Sequence, residues 1–185
     1  MSKELILNVT IEIPKDSKVK YEYNRADGKI SVDRILYGPS GYPQNYGFIP
    51  EALDWDGDEL DVLVYAQQPL PPGVVVPTRI VGAMEMIDSG ETDTKLIGVI
   101  AVDPRFADKK KLEDLPKHTL MEIKDFFETY KRLQNKVVTV KGFKNLDWAI
   151  KEYQECVGLM KKYGKIAKAD FIKRMQKAHP EKYRG

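Results

Sequence analysis

The sequence predicts a mainly β fold with α-helices, arranged as a small barrel or curled sheet with helices packed on it. Short segments of strand character fill the chain up to residue 103, and longer segments with helical spacing dominate from residue 112 onwards. Strands first and helices afterwards is an order typical of a sheet that closes on itself and is covered by helices. The length of 185 residues predicts one domain, 1–185.

The predicted strands are rich in β-branched and aromatic residues. The clearest pair is a hairpin, because Asp27-Gly28 separates two segments of alternating character. Residues 38–50 hold three glycines and three prolines, which predicts an ordered loop or an irregular strand. The predicted strands cover residues 4–13, 18–24, 30–36, 60–66, 74–88 (as one strand or two), 95–103 and 137–143.

Two helices are predicted in the second half of the chain. Residues 112–134 carry apolar side chains at helical spacing, and Pro116 suits a position just inside the first turn. Residues 145–163 form the second, with Asn145 as its N-cap. The basic segment 165–185 is either a third helix, over 167–178, or a loosely attached tail of unknown role.

Composition excludes several classes of function. The formal charge of +2 favours neither a nucleic-acid partner nor a membrane surface. Cys156 is the only cysteine, so an intramolecular disulfide and a zinc ribbon are excluded. The longest apolar run is too short to span a membrane, and early charged residues argue against a signal peptide. These features predict a cytoplasmic protein.

The most informative stretch is acidic. Asp54, Asp56, Asp58 and Asp61 fall within eight positions, immediately before a predicted buried strand. Such crowding raises carboxylate pKa values, so the stretch must be solvated, paired with basic side chains or bound to a cation. An EF-hand is excluded, because the glycine and glutamate required at its sixth and twelfth positions are missing. A second acidic loop, 88–95, favours a Mg²⁺ site over a merely solvated loop.

A Mg²⁺ site built from carboxylates usually leaves positions for water and for substrate phosphate. Phosphate in turn requires cations and neutral donors, and each candidate alone is more often an ordinary surface charge or a packed ring. For Tyr42, packing and binding are equally good interpretations. The candidates that the residues themselves suggest are Lys20, Arg34, Tyr42, Tyr46, Lys95, Tyr130 and Lys131.

Several motifs occur together in one order along the chain. Asp56-x-Asp58-x-x-Asp61 precedes an apolar residue, and the others are IEIP (11–14), KYE (20–22), VDR (32–34), YPQNYG (42–47), DSGETDTK (88–95) and FFETYK (126–131). Through them, residues 4 to 160 resemble the soluble inorganic pyrophosphatases of family I. The resemblance implies an OB-like five-stranded β-barrel with two or three helices packed outside. It also implies Mg²⁺-dependent hydrolysis of diphosphate to two phosphates by a homohexamer.

The same resemblance implies a role for each matched residue. Asp58 would be the general base that accepts a proton from the attacking water. The implied metal ligands are Asp56, Asp61, Asp88 and Asp93. The implied substrate-binding residues are Lys20, Arg34, Tyr46, Tyr130 and Lys131. The implied supporting residues are Glu12, Glu22, Tyr42 and Lys95.

Three other functions are open at this point. An OB-like barrel could bind single-stranded nucleic acid on its tyrosines, although a carboxylate-rich face opposes such binding. A cation-binding scaffold could keep the motifs without turnover. A different Mg²⁺ phosphohydrolase could act on nucleotides or polyphosphate through the same groups.

Overall fold

Strands fill the first half of the chain and helices most of the second half in the computed structural model, which describes residues 4–183. The strands are β1 Ile6–Ile13, β2 Val19–Asn24, β3 Lys29–Ile35, β4 Asn45–Leu53, β5 Glu59–Tyr65, β6 Val75–Asp88, β7 Glu91–Thr92, β8 Lys95–Ile100 and β9 Val138–Lys144. The α-helices are α1 Lys117–Thr129, α2 Leu146–Tyr163 and α3 Lys168–Ala178.

Five of these strands close into a barrel, as predicted. Their order is β1-β4-β5-β8-β6, and β6 pairs back with β1, which closes the ring. The pairs are antiparallel except β5–β8, which is parallel. The β2–β3 hairpin forms a separate two-stranded sheet, as the Asp-Gly signal predicted.

The long strand β6 makes the closure possible. Its first half pairs with β1, where Leu7 lies opposite Thr78, and its second half pairs with β9, where Met84 lies opposite Phe143. It is therefore one continuous strand rather than two. A register shift between Ile80 and Gly82 lets it change partners along its length, which is a common use of a bulge.

The two long helices cover different hydrophobic clusters. Successive side chains of a strand point to opposite faces, so neighbouring residues of β5 contribute to different clusters. Leu63 lies in the cluster that includes Phe127 of α1, and Val62 lies in the cluster that includes Ala149 and Cys156 of α2. Burying each large side chain contributes roughly 1.5–3 kcal/mol to stability. The barrel is thereby fixed from two sides.

Some boundaries differ from the sequence prediction. The helix predicted over 112–134 is shorter, because Pro116 precedes α1 and Tyr130 caps its end. Leu133 belongs to a separate 3-10 turn that ends at Asn135, whose φ of 54° turns the chain towards β9. The N-cap predicted for α2 is confirmed, since Asn145 Oδ1 accepts a hydrogen bond from the Trp148 amide at 3.0 Å.

The segment 38–50 holds a loop and the start of a strand. Its Gly and Pro content suggested an ordered loop or an irregular strand, and the structure has both: a loop leads into β4, which begins at Asn45 and whose register with β5 shifts between Ile49 and Leu53. Gly47 is required inside this strand, because a Cβ there would lie 2.3 Å from the Thr10 carbonyl oxygen. The glycine therefore allows close approach of β1 and β4 and does not mark a turn.

The basic C-terminal segment is ordered over its described part. Of the two alternatives, the third helix is confirmed as α3, and residues 184–185 lie outside the described part of the chain. Among residues 4–183, none of the helices combines the length and the hydropathy that crossing a membrane would require.

Candidate active site

The two acidic loops lie side by side at one end of the barrel. Loop 54–58 joins β4 to β5, and loop 88–94 leads from β6 into β8. The parallel pairing of β5 with β8 sets Asp61 opposite Lys95. Asp54 fastens the loops together, because its carboxylate accepts hydrogen bonds from the amides of Trp55 at 2.8 Å and Thr94 at 2.9 Å. Residues far apart in sequence therefore meet at one mouth of the barrel.

Between the loops lies a cleft of about 280 Å³. All of the predicted site residues except Arg34 line it. They are Glu12, Lys20, Glu22, Tyr42, Tyr46, Asp56, Asp58, Asp61, Asp88, Asp93, Lys95, Tyr130 and Lys131.

Arg34 lies next to the cleft, on β3 directly opposite Lys20. Its Nη1 and the Lys20 ammonium both donate to the Asp33 carboxylate, the second at 3.0 Å. The Nε of Arg34 is buried and lacks a hydrogen-bond partner within residues 4–183. A buried donor without an acceptor is costly, so the Nε–H of Arg34 is short of a hydrogen-bond acceptor even though Nη1 is paired.

Each aspartate loop is balanced by lysines from other elements. Lys95 is 3% exposed, and its ammonium donates to Asp61 at 2.5 Å and to Asp93. Lys131 lies just after α1, and its ammonium donates to Asp88. Such enclosed pairs are worth little net stability, but losing one partner leaves a costly unpaired charge.

Carboxylates still outnumber the lysines in the cleft, and their pKa values reflect this. Burial and the neighbouring Asp93 hold the pKa of Asp56 well above its ordinary value. Burial, opposed by Lys95, raises the pKa of Asp61 to about 6. Burial and the charge of Asp61 raise the pKa of Glu12 to about 8. A cation added among these oxygens would favour their ionised forms, so the donor set fits a hard divalent ion.

Asp88 behaves in the opposite way. Burial alone would raise its pKa, but the hydrogen bond and the charge of Lys131 outweigh burial and lower it. Burial also lowers the pKa of Lys131. Asp88 therefore differs from Asp56 and Asp61, because Lys131 compensates its charge.

The tyrosines combine packing with exposure to the cleft. Tyr42 is 2% exposed and packs against Tyr46 with the ring centroids 5.3 Å apart. Tyr130 stacks on Phe126 at 5.1 Å. Burial raises the phenol pKa of all three tyrosines, so each remains a neutral hydrogen-bond donor. For Tyr42, the packing interpretation is confirmed, and the binding interpretation stays a prediction for a ring that also lines the cleft.

Further residues that sequence reasoning did not select also line the cleft. Glu59, the first residue of β5, pairs with Arg25 Nε at 2.5 Å, and its position within the aspartate motif was an available signal. Lys168 comes from α3 and donates to Asp58. A lysine in a basic segment carries no local sign of such a distant contact. The remaining additions are Tyr23, Phe48, Ser89 and Glu91.

A second acidic cluster lies behind the loops. Among residues 4–183, the potential ligand atoms of Asp54, Glu152 and Cys156 lie within 4.8 Å of one another, and all three residues are buried. The Asp54 oxygens already accept two backbone amides, and Cys156 Sγ lies 3.9 Å from Asp54 Oδ1. Burial holds the thiol pKa of Cys156 well above its usual value. This cluster supports the loops from behind and does not open into the cleft.

Comparison with known proteins gives a consistent result. A family model described as inorganic pyrophosphatase matches residues 9–161. The inorganic pyrophosphatase of Malacoplasma penetrans is 66% identical over 178 residues, or 96% of this chain and 98% of that protein. That of Geobacillus stearothermophilus is 45% identical over 152 residues, or 82% of this chain and 92% of that protein. The crystal structure of inorganic pyrophosphatase from Thermus thermophilus, 43% identical, covers 84% of this chain and 91% of its own, with a TM-score of 0.81.

Proposed function

This chain belongs to the inorganic pyrophosphatase family, and on that basis we propose that it hydrolyses diphosphate to two phosphates. The observation that carries the proposal is the convergence of two aspartate loops with lysines and tyrosines around one cleft. Diphosphate carries several negative charges that repel an attacking water, so a site for its hydrolysis needs cations and hydrogen-bond donors on several sides.

We further propose that the cleft uses Mg²⁺. The residues that would hold it are Asp56, Asp61, Asp88 and Asp93, whose oxygens are the ligand type that Mg²⁺ prefers. The raised pKa values of Asp56 and Asp61 support this assignment, because they indicate a deficit of positive charge. When bound, Mg²⁺ neutralises phosphate oxygens and makes a nearby water more acidic.

Asp58 is the proposed general base. Its carboxylate takes one proton from the attacking water while the water oxygen forms a bond to phosphorus. The bond from that phosphorus to the bridging oxygen then breaks, and the second phosphate leaves. The Asp58 amide donates to Asp56 Oδ1 at 3.0 Å, so the two residues share one tight turn.

The proposed substrate contacts surround this carboxylate. Lys20, Lys131 and the phenols of Tyr46 and Tyr130 would donate to phosphate oxygens, and Arg34 would join them by turning from Asp33. The buried Nε of Arg34 supports this role, because it lacks a partner within the described residues. The proposed supporting residues are Glu12, Glu22, Tyr42 and Lys95.

Two further properties belong to the same proposal. A cytoplasmic location is supported by the single buried Cys156, which suits a reducing compartment. Self-association as a homohexamer is supported by large apolar side chains left exposed, and sedimentation of the purified protein measures it directly. These side chains include Val32, Ile35, Tyr37, Met121, Leu133 and Val137.

The deciding experiment measures phosphate release from diphosphate with Mg²⁺, with Ca²⁺ and with EDTA, for wild type and Asp58→Asn. Removing a general base typically costs about 10²–10⁴-fold in rate, so the variant should lose activity on that scale while folding normally. Ca²⁺ should support little turnover, because it accepts larger and looser coordination than Mg²⁺.

Asp125→Asn is the matched control, since this aspartate is exposed on α1. Release of phosphate by Asp58→Asn at the wild-type rate would remove Asp58 from the mechanism. Full activity in EDTA would contradict the metal assignment.

A further inference from the structure

The C-terminal segment, residues 164–183, packs across both acidic loops. Phe171 and Met175 of α3 are 1% and 2% exposed and lie in one cluster with Leu53 and Trp55. Anchors of this kind fix where the rest of α3 lies. The segment is therefore built into the site and is not a loose tail.

Two hydrogen bonds at the end of the segment tie it to both loops. Tyr183 Oη donates to the Trp55 carbonyl at 2.6 Å, which reaches the first loop. Thr92 Oγ1 donates to the Lys182 carbonyl at 2.7 Å, which reaches the second. The position of α3 is thus fixed relative to the aspartates of the cleft.

Lys168, the first residue of α3, extends from this anchored helix into the cleft. Its ammonium donates to Asp58, and its side chain is 51% exposed, whereas that of Lys95 is 3% exposed. The stem passes over Gly57, where a Cβ would lie 2.9 Å from Lys168 Cγ. The loop glycine leaves room for this lysine at the mouth of the cleft.

We propose that Lys168 is a substrate-binding residue whose ammonium binds a phosphate oxygen of diphosphate at the mouth of the cleft. The proposal rests on the proposed function, in which Asp58 turns to the attacking water. The ammonium, held within reach by α3, then takes the incoming anion as its partner. A flexible, solvated ammonium suits this exchange better than a buried one.

This contact comes from a residue outside the part of the chain that the family model matches. The family match ends at residue 161, before α3 begins. The match with the Malacoplasma penetrans protein covers 96% of the chain, so it includes at least part of α3. Residues 9–161 thus carry the shared motifs, and the C-terminal segment adds one more cation to them.

The test compares Lys168→Gln, Lys168→Arg and the control Lys173→Gln, which removes an exposed lysine from the same helix. Two measurements are made with Mg²⁺: the kinetics of diphosphate hydrolysis, and calorimetric binding of imidodiphosphate, a diphosphate analogue that resists hydrolysis. Losing one charged contact of ~1.4 kcal/mol should raise KM, and weaken analogue binding, about tenfold in Lys168→Gln. Lys168→Arg should stay near wild type, and Lys173→Gln should be unchanged.

The alternative is that Lys168 only latches α3 onto Asp58. In that case Lys168→Gln would lower the melting temperature but bind the analogue as wild type does, and the proposal would be overturned. If the wild type hydrolyses diphosphate and Lys168→Gln keeps its KM, this inference alone fails. If the wild type releases no phosphate with Mg²⁺, the proposed function fails with it.

Discussion

At the scale of single residues, the cleft is a set of charges that depend on one another. Lys95 is almost fully buried between Asp61 and Asp93, and their charges outweigh burial and raise its pKa. The motif DSGETDTK shows Lys95 beside Asp93, and strand pairing adds Asp61. The sequence predicted these members, but it could not predict that a single ammonium serves both loops.

Replacing Lys95 with Met should destabilise the protein. The change leaves buried carboxylates without their cation, which typically costs about 3–5 kcal/mol of unfolding free energy. Urea unfolding in EDTA measures this loss, with Lys110→Met as the control because Lys110 forms an exposed pair with Glu4. Exposed pairs contribute about 0–1 kcal/mol. An equal loss in the two variants would contradict the buried-pair account.

At the scale of secondary-structure elements, the close approach of strands and the burial of side chains set boundaries that the sequence pattern alone does not predict. Gly47 was included in a predicted loop or irregular strand because a glycine that allows close approach between strands is not distinguishable in sequence from a turn glycine. The predicted helix extended beyond the observed end of α1, because Tyr130 continues the helical spacing of apolar residues after the helix has ended at Thr129. Tyr130 faces the cleft, and its spacing reflects the site as well as the core.

Two glycine substitutions separate these effects. Gly47→Ala should destabilise the protein by about 1–3 kcal/mol or more, because the new Cβ would overlap the Thr10 carbonyl across the β1–β4 pair. Gly158→Ala, at an open and exposed position on α2, should stabilise it by about 0.5–1 kcal/mol. Thermal unfolding of both variants measures whether the first lowers and the second raises the melting temperature. Similar effects of the two changes would exclude the close-approach explanation.

Helix α2 carries a buried acid that should make stability depend on pH. Burial raises the pKa of Glu152 above its ordinary 4.5, although Lys182 opposes the shift. The folded state therefore holds a proton that the unfolded chain has released, and stability falls as pH rises from 4.5 through the folded pKa. Glu152→Gln should remove this dependence, so its stability relative to wild type should increase with pH.

Urea unfolding of wild type and Glu152→Gln at several pH values from 4.5 upwards tests this sign. Glu113→Gln is the control, because Glu113 is an exposed glutamate outside α2. A difference between wild type and Glu152→Gln that stays constant with pH would show that Glu152 is not held protonated.

At the scale of the whole molecule, local patterns predicted a small barrel or curled sheet with two acidic loops, and the family resemblance implied the five strands and most of the cleft residues. Alternation, the Asp-Gly turn and the aspartate spacing are all visible within short windows. The contact between Lys168 and Asp58 is not visible in this way, because the two residues are 110 positions apart and the sequence of α3 is typical of an exposed helix. Arg34 shows the other limit, because its motif is local but the motif does not show that Arg34 pairs with the neighbouring Asp33 instead of lining the cleft.

The excess of carboxylates predicts that Mg²⁺ stabilises the folded molecule. A ligand at one hundred times its dissociation constant adds about 2.7 kcal/mol to the free energy of unfolding, provided that it does not bind the unfolded chain. The melting temperature should therefore rise with Mg²⁺ and fall back on adding EDTA. Asp56→Asn should lose most of this rise, and Asp125→Asn should keep it. A melting temperature that does not change with Mg²⁺ would contradict the proposed metal site.

The pairing of β1 with the first half of β6 has a consequence for how the molecule forms. It joins Leu7 to Thr78, so the ring cannot close until a long stretch of intervening chain has been ordered. Topologies dominated by such distant pairings fold slowly, because loop-closure entropy is lost before the contacts are gained. The two aspartate loops meet through the parallel pairing of β5 with β8, which also joins distant parts of the chain. We therefore expect the ion site to form with these non-local contacts, late in folding, and not in an early local hairpin.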